Sequence, residues 1–292
     1  MPDQTPFSLD NKAAYADWKQ KKLVHYPTRF AQLVVKLNDL ENISTTEYSA
    51  IKACIDKTNM AICTAPNAPS KARMRVFGTH FGLNRLDANI YAGEDAITAL
   101  QVQTTPSRQQ AFIPYTNKPL SWHTDGYYNR PDRQIQAMVL YCASAAEIGG
   151  ENTLLDPEIV YLLMRDENPD FIQALSDPTV LTIPAHIDDD GINQSPDQTG
   201  PVFSVIDGQL HMRYSHRKRN IIWQTSELVQ QALTFLQNLF NHSPYRFEGK
   251  LKSGDILLCN NVLHNRTAFK DQGEHKRCIY RARYYDRIKF LY

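Results

Sequence analysis

In the stretch Ser121-Trp-His-Thr-Asp-Gly-Tyr-Tyr-Asn129, an imidazole and a carboxylate stand two positions apart. In an extended segment, side-chain alternation puts His123 and Asp125 on one face and Thr124 on the other. Two histidines and one carboxylate on one face of the metal form a common ferrous, oxygen-activating site, which leaves positions open for substrates. His123 and Asp125 supply two of those ligands. Alone, the pair is as readily a hydrogen-bonded polar turn. Gly126 lets the chain bend away sharply. Trp122, Tyr127 and Tyr128 flank the pair, either as core packing or as a pocket wall that keeps water from an oxidant.

A third ligand must come from elsewhere. His25 and His275 lie in polar surroundings, His186 and His242 sit at element edges, and His80 and His211 carry no supporting pattern. His264 differs: it ends an expected strand, Ile256 to Leu263, and precedes Asn265-Arg-Thr-Ala-Phe269. Farther on, Arg277-Cys-Ile-Tyr-Arg-Ala-Arg-Tyr-Tyr285 reads as a strand that places Arg277, Ile279, Arg281 and Arg283 on one face. Several arginines on one strand face require water or anions, because a buried charge is costly unless paired. A guanidinium grips a carboxylate through two parallel hydrogen bonds, which suits a dicarboxylate ligand.

SWHTDGYYN, GGENT at 149–153, LHNRTAF at 263–269 and RCIYR at 277–281 together resemble the TauD/TfdA group of Fe(II)/2-oxoglutarate-dependent dioxygenases. The resemblance covers about residues 110 to 285. It implies that His123, Asp125 and His264 hold Fe(II). It implies that Arg277, 13 positions after His264, binds the far carboxylate of 2-oxoglutarate, with Thr153 hydrogen-bonding the same group. Arg281 would face the primary substrate or the cosubstrate. The implied chemistry uses O2 and converts 2-oxoglutarate to succinate and CO2 while oxidising, most simply hydroxylating, a C–H bond of a small, anionic metabolite. Related halogenases carry a small residue in place of the carboxylate ligand, so Asp125 argues against halogenation. Two departures stand out: Asn265 where glycine is usual, and a glycine motif one residue longer than the commonest form.

Other features bear on substrate. His216-Arg-Lys-Arg219 is a short basic cluster, and such runs are usually solvated faces. It, or Arg213 beside it, is a candidate to meet an anionic substrate. Trp122 and Tyr127 are candidates for the substrate wall, and Tyr115 and Asn117 sit in a proline-bounded loop.

Around these residues the sequence predicts a mainly β chain with flanking helices. The expected core is a double-stranded β-helix, or jelly roll of the cupin kind, behind an α/β N-terminal part over 1–105. Helices are expected over Lys12–Lys22, Thr45–Lys57, Pro157–Arg165 behind Asp156, and Ser226–Phe240. Strands are expected at Met60–Thr64, Ile135–Cys142, 254–264 and 277–285, with a hairpin over 202–215 turning at Asp207-Gly208. Residues 188–200 read as a polar, mobile loop. No composition break marks a linker, so one domain is expected over 1–292.

The chain has 292 residues, 42% apolar and 22% charged, with 32 Lys plus Arg against 31 Asp plus Glu. That is a soluble globular composition without the basic excess of a general nucleic-acid or membrane-surface binder. Five scattered cysteines without a CxxC pair fit a reducing, cytoplasmic setting. No apolar run reaches the length of a membrane span. The expected partner is a small molecule; a homo-oligomer is compatible with the sequence. Competing readings are the same iron chemistry on a macromolecule, a catalytically silent binding barrel, and a zinc hydrolase, the last of which leaves Arg277 and the glycine motif without a purpose.

Overall fold

The computed structural model describes residues 5–66, 70–88, 93, 95–102, 112–187, 193–273 and 276–290. The chain forms two compact units. One comprises residues 27–121, 135–154 and 247–292. Its centre is a six-stranded sheet in the order Val34–Lys36, Met60–Thr64, Asp255–Cys259, Ala137–Ser144, Cys278–Tyr284, Thr98–Gln101. The first pair is parallel and the others are antiparallel. Helices Thr45–Thr58 and Lys71–Thr79 bring Ile51, Ile55, Met74 and Phe77 against Ala61, Cys63, Val139, Ile256, Leu258 and Ala282 of the sheet. Each such large side chain fully buried contributes roughly 1.5–3 kcal/mol. Thr45–Thr58 starts at a capping box in which Ser44 and Glu47 each accept from the other's main-chain N–H, and it ends at left-handed Asn59.

A single strand over 254–264 is not what forms. Asp255–Cys259 belongs to the six-stranded sheet, whereas Leu263–Arg266 belongs to a four-stranded sheet ordered Phe247–Gly249, Asn152–Leu155, Leu263–Arg266, Leu120–His123. The break falls at two asparagines. Asn261 adopts φ 46°, a left-handed conformation that asparagine tolerates better than most residues. Its amide donates to the Ile135 carbonyl at 2.7 Å. The Asn260 amide donates to Asn59 Oδ1 at 3.0 Å. These bonds hold the kink that moves the chain from one sheet to the next.

The other unit comprises residues 1–26, 122–134 and 155–246. Helices Lys12–Leu23, Pro157–Glu167 and Glu227–His242 form within it, the last two behind the N-caps Asp156 and Ser226. Helix Glu227–His242 buries Val229, Ala232, Leu233, Leu236, Leu239 and Phe240 on one face. The buried Lys22 ammonium sits 2.7 Å from Asp156 Oδ2 and 2.5 Å from Glu158 Oε2. The predicted hairpin is present as Phe203–Ile206 paired with Gln209–Met212, and both Asp207 and Gly208 take positive φ. The loop expected over 188–200 is instead partly paired. Asn193–Ser195 is a strand, and Gln198–Gly200 pairs with Leu181–Ile183. Residues 188–192, like His275, lie outside the described residues. Among the described residues no helix is long and apolar enough to cross a membrane. The architecture is mainly β with helices, as the sequence indicated.

Candidate metal centre and anion pocket

His123 closes strand Leu120–His123, and its backbone is locked to the 214–216 segment. Thr124 N–H donates to the Tyr214 carbonyl at 3.0 Å, and His216 N–H donates to the Trp122 carbonyl at 2.8 Å. The Thr124 hydroxyl accepts from Tyr214 N–H at 3.0 Å. Trp122 points the other way, stacked on Phe240 with ring centroids 5.1 Å apart. His123 Nε2 lies 3.6 Å from Asp125 Oδ1, and both side chains are buried. Gly126 then takes φ +68°, turning the chain so that the Tyr127 ring meets the His123 ring edge-on at 6.4 Å. Burial raises the pKa of the Tyr127 phenol.

Arg213 holds this turn in place. Its Nε donates to the Tyr127 carbonyl at 2.7 Å. Its other nitrogens donate to the carbonyls of Leu181, Gly200 and Gln198. Burial lowers its pKa to about 10. The expectation that Arg213 meets a substrate anion therefore gives way: its hydrogen bonds clamp the main chain after Asp125.

His264 sits in strand Leu263–Arg266, buried, with Nδ1 2.9 Å from the Val262 carbonyl. A carbonyl only accepts, so the proton is on Nδ1 and the lone pair on Nε2, the tautomer that a metal ligand needs. The next residue explains a departure in the sequence. Asn265 Oδ1 accepts from Thr153 N–H at 3.1 Å, and the Asn265 carbonyl accepts from the Asn152 amide at 3.0 Å. Thr267 ties the glycine motif to the same segment: its hydroxyl accepts from Gly150 N–H and Glu151 N–H and donates to Glu151 Oε2 at 2.6 Å. Gly149 has φ +73°, and a Cβ there would lie 2.1 Å from the Ala268 carbonyl oxygen, so no other residue fits.

Arg277 is 7% exposed and forms no ion pair among the described residues. Its main-chain N–H donates to Asp271 Oδ1 at 3.0 Å, and its guanidinium lies over the Phe269 ring at 5.0 Å. Burial lowers its pKa. Arg266, unremarked in the sequence, lies over the same ring at 4.8 Å and donates to the Thr116 carbonyl at 2.9 Å. Burial, then the proximity of Arg277, lower its pKa to about 10. Arg283 is different: it is ion-paired with Asp87, which also accepts from the Tyr285 hydroxyl. Arg281 lies in strand Cys278–Tyr284, paired with Leu140 and Thr98.

One ligand atom from each of His123, Asp125 and His264 lies within 4.8 Å of the others, and all three residues are buried. Two imidazoles and a carboxylate are a donor set for a borderline divalent ion such as Fe(II). The residues present therefore fit the metal that the sequence implies.

A family model described as taurine catabolism dioxygenase TauD, TfdA family matches residues 20–283. The chain belongs to that family. A uridine-5'-phosphate dioxygenase from an Amycolatopsis species is 31% identical over 170 residues, 56% of this chain and 60% of the relative. The chain thus aligns with about 60% of the length of the curated relatives it matches. Among solved structures, a taurine dioxygenase from Burkholderia xenovorans has a TM-score of 0.58 at 14% identity, covering 87% of this chain and 88% of that one. An asparagine oxygenase in complex with Fe(II), 2S,3S-3-hydroxyasparagine and succinate has a TM-score of 0.58 at 13% identity, covering 86% and 93%. These structures share the fold.

Proposed function

We propose that this chain is a non-haem Fe(II)/2-oxoglutarate-dependent dioxygenase that hydroxylates an unactivated C–H bond of a small anionic metabolite. The buried His123, Asp125 and His264 cluster carries the reading, and these three would hold the iron. Bound iron would supply coupled oxidation: 2-oxoglutarate and O2 yield succinate and CO2, with the second oxygen atom entering the substrate C–H bond as hydroxyl. Arg277 would bind the far carboxylate of 2-oxoglutarate, a dianion that answers the cost of a buried guanidinium with no acid partner among the described residues. Asn265 fixes the main chain at Thr153, whose hydroxyl is assigned to the same carboxylate. Tyr127, whose ring meets His123, would exclude water beside the ligands, with Arg281 assigned to the substrate or cosubstrate; Trp122, stacked on Phe240, faces away from them. The two units would work together as a single dioxygenase domain over 1–292 with a jelly-roll core.

Two relatives' names support a small substrate that carries an anionic group: uridine-5'-phosphate with its phosphate for one, zwitterionic asparagine with its carboxylate for the other. The test is anaerobic addition of Fe(II) and 2-oxoglutarate to the purified protein. A visible charge-transfer band from the chelate is expected, lost in His264→Ala. Folded wild-type protein without the band would overturn the assignment. Succinate release across a metabolite panel then reads the substrate.

A further inference from the structure

The inference rests on that reading and names the group on the substrate that the chain recognises. His123 and Ser215 form an antiparallel bridge flanked by the two main-chain hydrogen bonds of Thr124 and His216. That pattern makes them a close, non-hydrogen-bonded pair whose side chains share a face. Alternation about the bridge then places Tyr214 and His216 on the opposite face, with Arg217 two residues beyond Ser215. The ring contacts agree. Trp122, Tyr214 and His216 all meet Phe240. Tyr127, by contrast, meets both His123 and the Arg217 guanidinium, the latter 5.4 Å from the ring centroid. The contacts thus link His123, through the Tyr127 ring, to Arg217.

Arg217, Lys218 and Arg219 are exposed, and none forms an ion pair among the described residues. Three successive cations repel one another and give the fold nothing. A solvated basic run would explain the charge, but not the guanidinium held against the tyrosine face. Nor would it explain why Arg217 and Lys218 border a cavity of about 290 Å³ that Tyr214, Ser215, His216 and Trp223 also line. Its lining takes Tyr214 and His216 as well as Ser215 of the bridge. A carboxylate needs one guanidinium; two adjacent cations lining a cavity, Arg217 and Lys218, match a dianion.

We propose that Arg217, assisted by Lys218, docks a phosphate-monoester dianion on the substrate and sets specificity for it. Arg213, bound to four carbonyls, is not available for that role.

Phenyl phosphate, benzoate and phenol are titrated calorimetrically, without oxygen, into the full chain loaded with Fe(II) and 2-oxoglutarate. Phenyl phosphate should bind wild type at millimolar or lower concentration and at least tenfold tighter than benzoate, with phenol weaker still. Arg217→Ala should lose at least tenfold for phenyl phosphate, with little change for phenol. Arg217→Lys should keep part of the affinity, and Lys218→Ala should lose severalfold. The 2-oxoglutarate band should persist in all three variants. A structural role alone would not move the phosphate-to-benzoate ratio. Absence of phenyl phosphate binding to wild type, equal binding of benzoate, or unchanged affinity in Arg217→Ala would overturn the proposal. A missing chelate band with intact phosphate binding would overturn the dioxygenase reading instead.

Discussion

Replacing Arg277 by methionine should separate binding from stability. In the folded chain the guanidinium is 7% exposed, rests on Phe269 and has no acid partner among the described residues. Replacing even a buried ion pair by apolar side chains of similar volume is often neutral or stabilising by about 1–4 kcal/mol, and a buried charge without its partner is costlier still. Against this stands the lost contact with Phe269, about 0.5–2 kcal/mol. Without 2-oxoglutarate, Arg277→Met should therefore gain about 1 kcal/mol, a rise of roughly 2 °C in Tm for a chain of this size. With 2-oxoglutarate the sign reverses. Hydrogen bonds to a charged group are worth about 1.5–3 kcal/mol each. Losing a two-pronged grip should cost about 3–6 kcal/mol, or roughly 100- to 10,000-fold in Kd. Thermal melts with and without 2-oxoglutarate and a metal, plus calorimetric titration, read both quantities. A variant that melts lower than wild type without ligand, yet binds 2-oxoglutarate normally, would refute the reasoning. Arg277 would then be a structural residue.

Lys22→Met should destabilise by about 3–5 kcal/mol, because it leaves Asp156 and Glu158 buried together without their cation; denaturant unfolding reads the loss. Ser44→Ala should cost about 1 kcal/mol at neutral pH by removing the cap of helix Thr45–Thr58. The Ser44 hydrogen bonds hold the Glu47 carboxyl below its usual pKa, so its contribution is complete above the unfolded pKa and fades as pH falls through the folded one. The gap between wild type and Ser44→Ala should therefore shrink in acid, and a gap constant from pH 7 to pH 3 would refute the linkage. Gly149→Ala should break the approach to the Ala268 carbonyl and weaken 2-oxoglutarate binding, in step with a lower Tm.

Local signals were legible in the sequence wherever their causes are local. Met60–Thr64 forms as its apolar run indicates, the Asp207-Gly208 turn takes the positive φ values that its residues favour, and Asp156 and Ser226 cap the helices that follow them. His123, Asp125 and His264, which the structure brings together, were legible because a ferrous site would call for those residue types. What escaped depends on partners far along the chain. The apolar pattern of 254–264 hides the break at Asn261, which Ile135 stabilises from 126 positions away. Arg213 looked like an anion receptor because nothing nearby in sequence reveals the four carbonyls it serves. Asn265 looked like a departure from pattern until Thr153, 112 positions earlier, was found to be its donor.

The kink at Asn260–Asn261 also limits how this chain can be re-engineered. Strand side chains alternate with a period of two, so one residue added or removed between Cys259 and Leu263 turns a whole strand over. Such an indel would point His264 away from His123 and Asp125 with every residue identity retained. In this segment spacing is therefore as fixed as composition. Loop-length libraries made there should give folded but metal-free proteins, whereas point substitutions at exposed positions nearby should not.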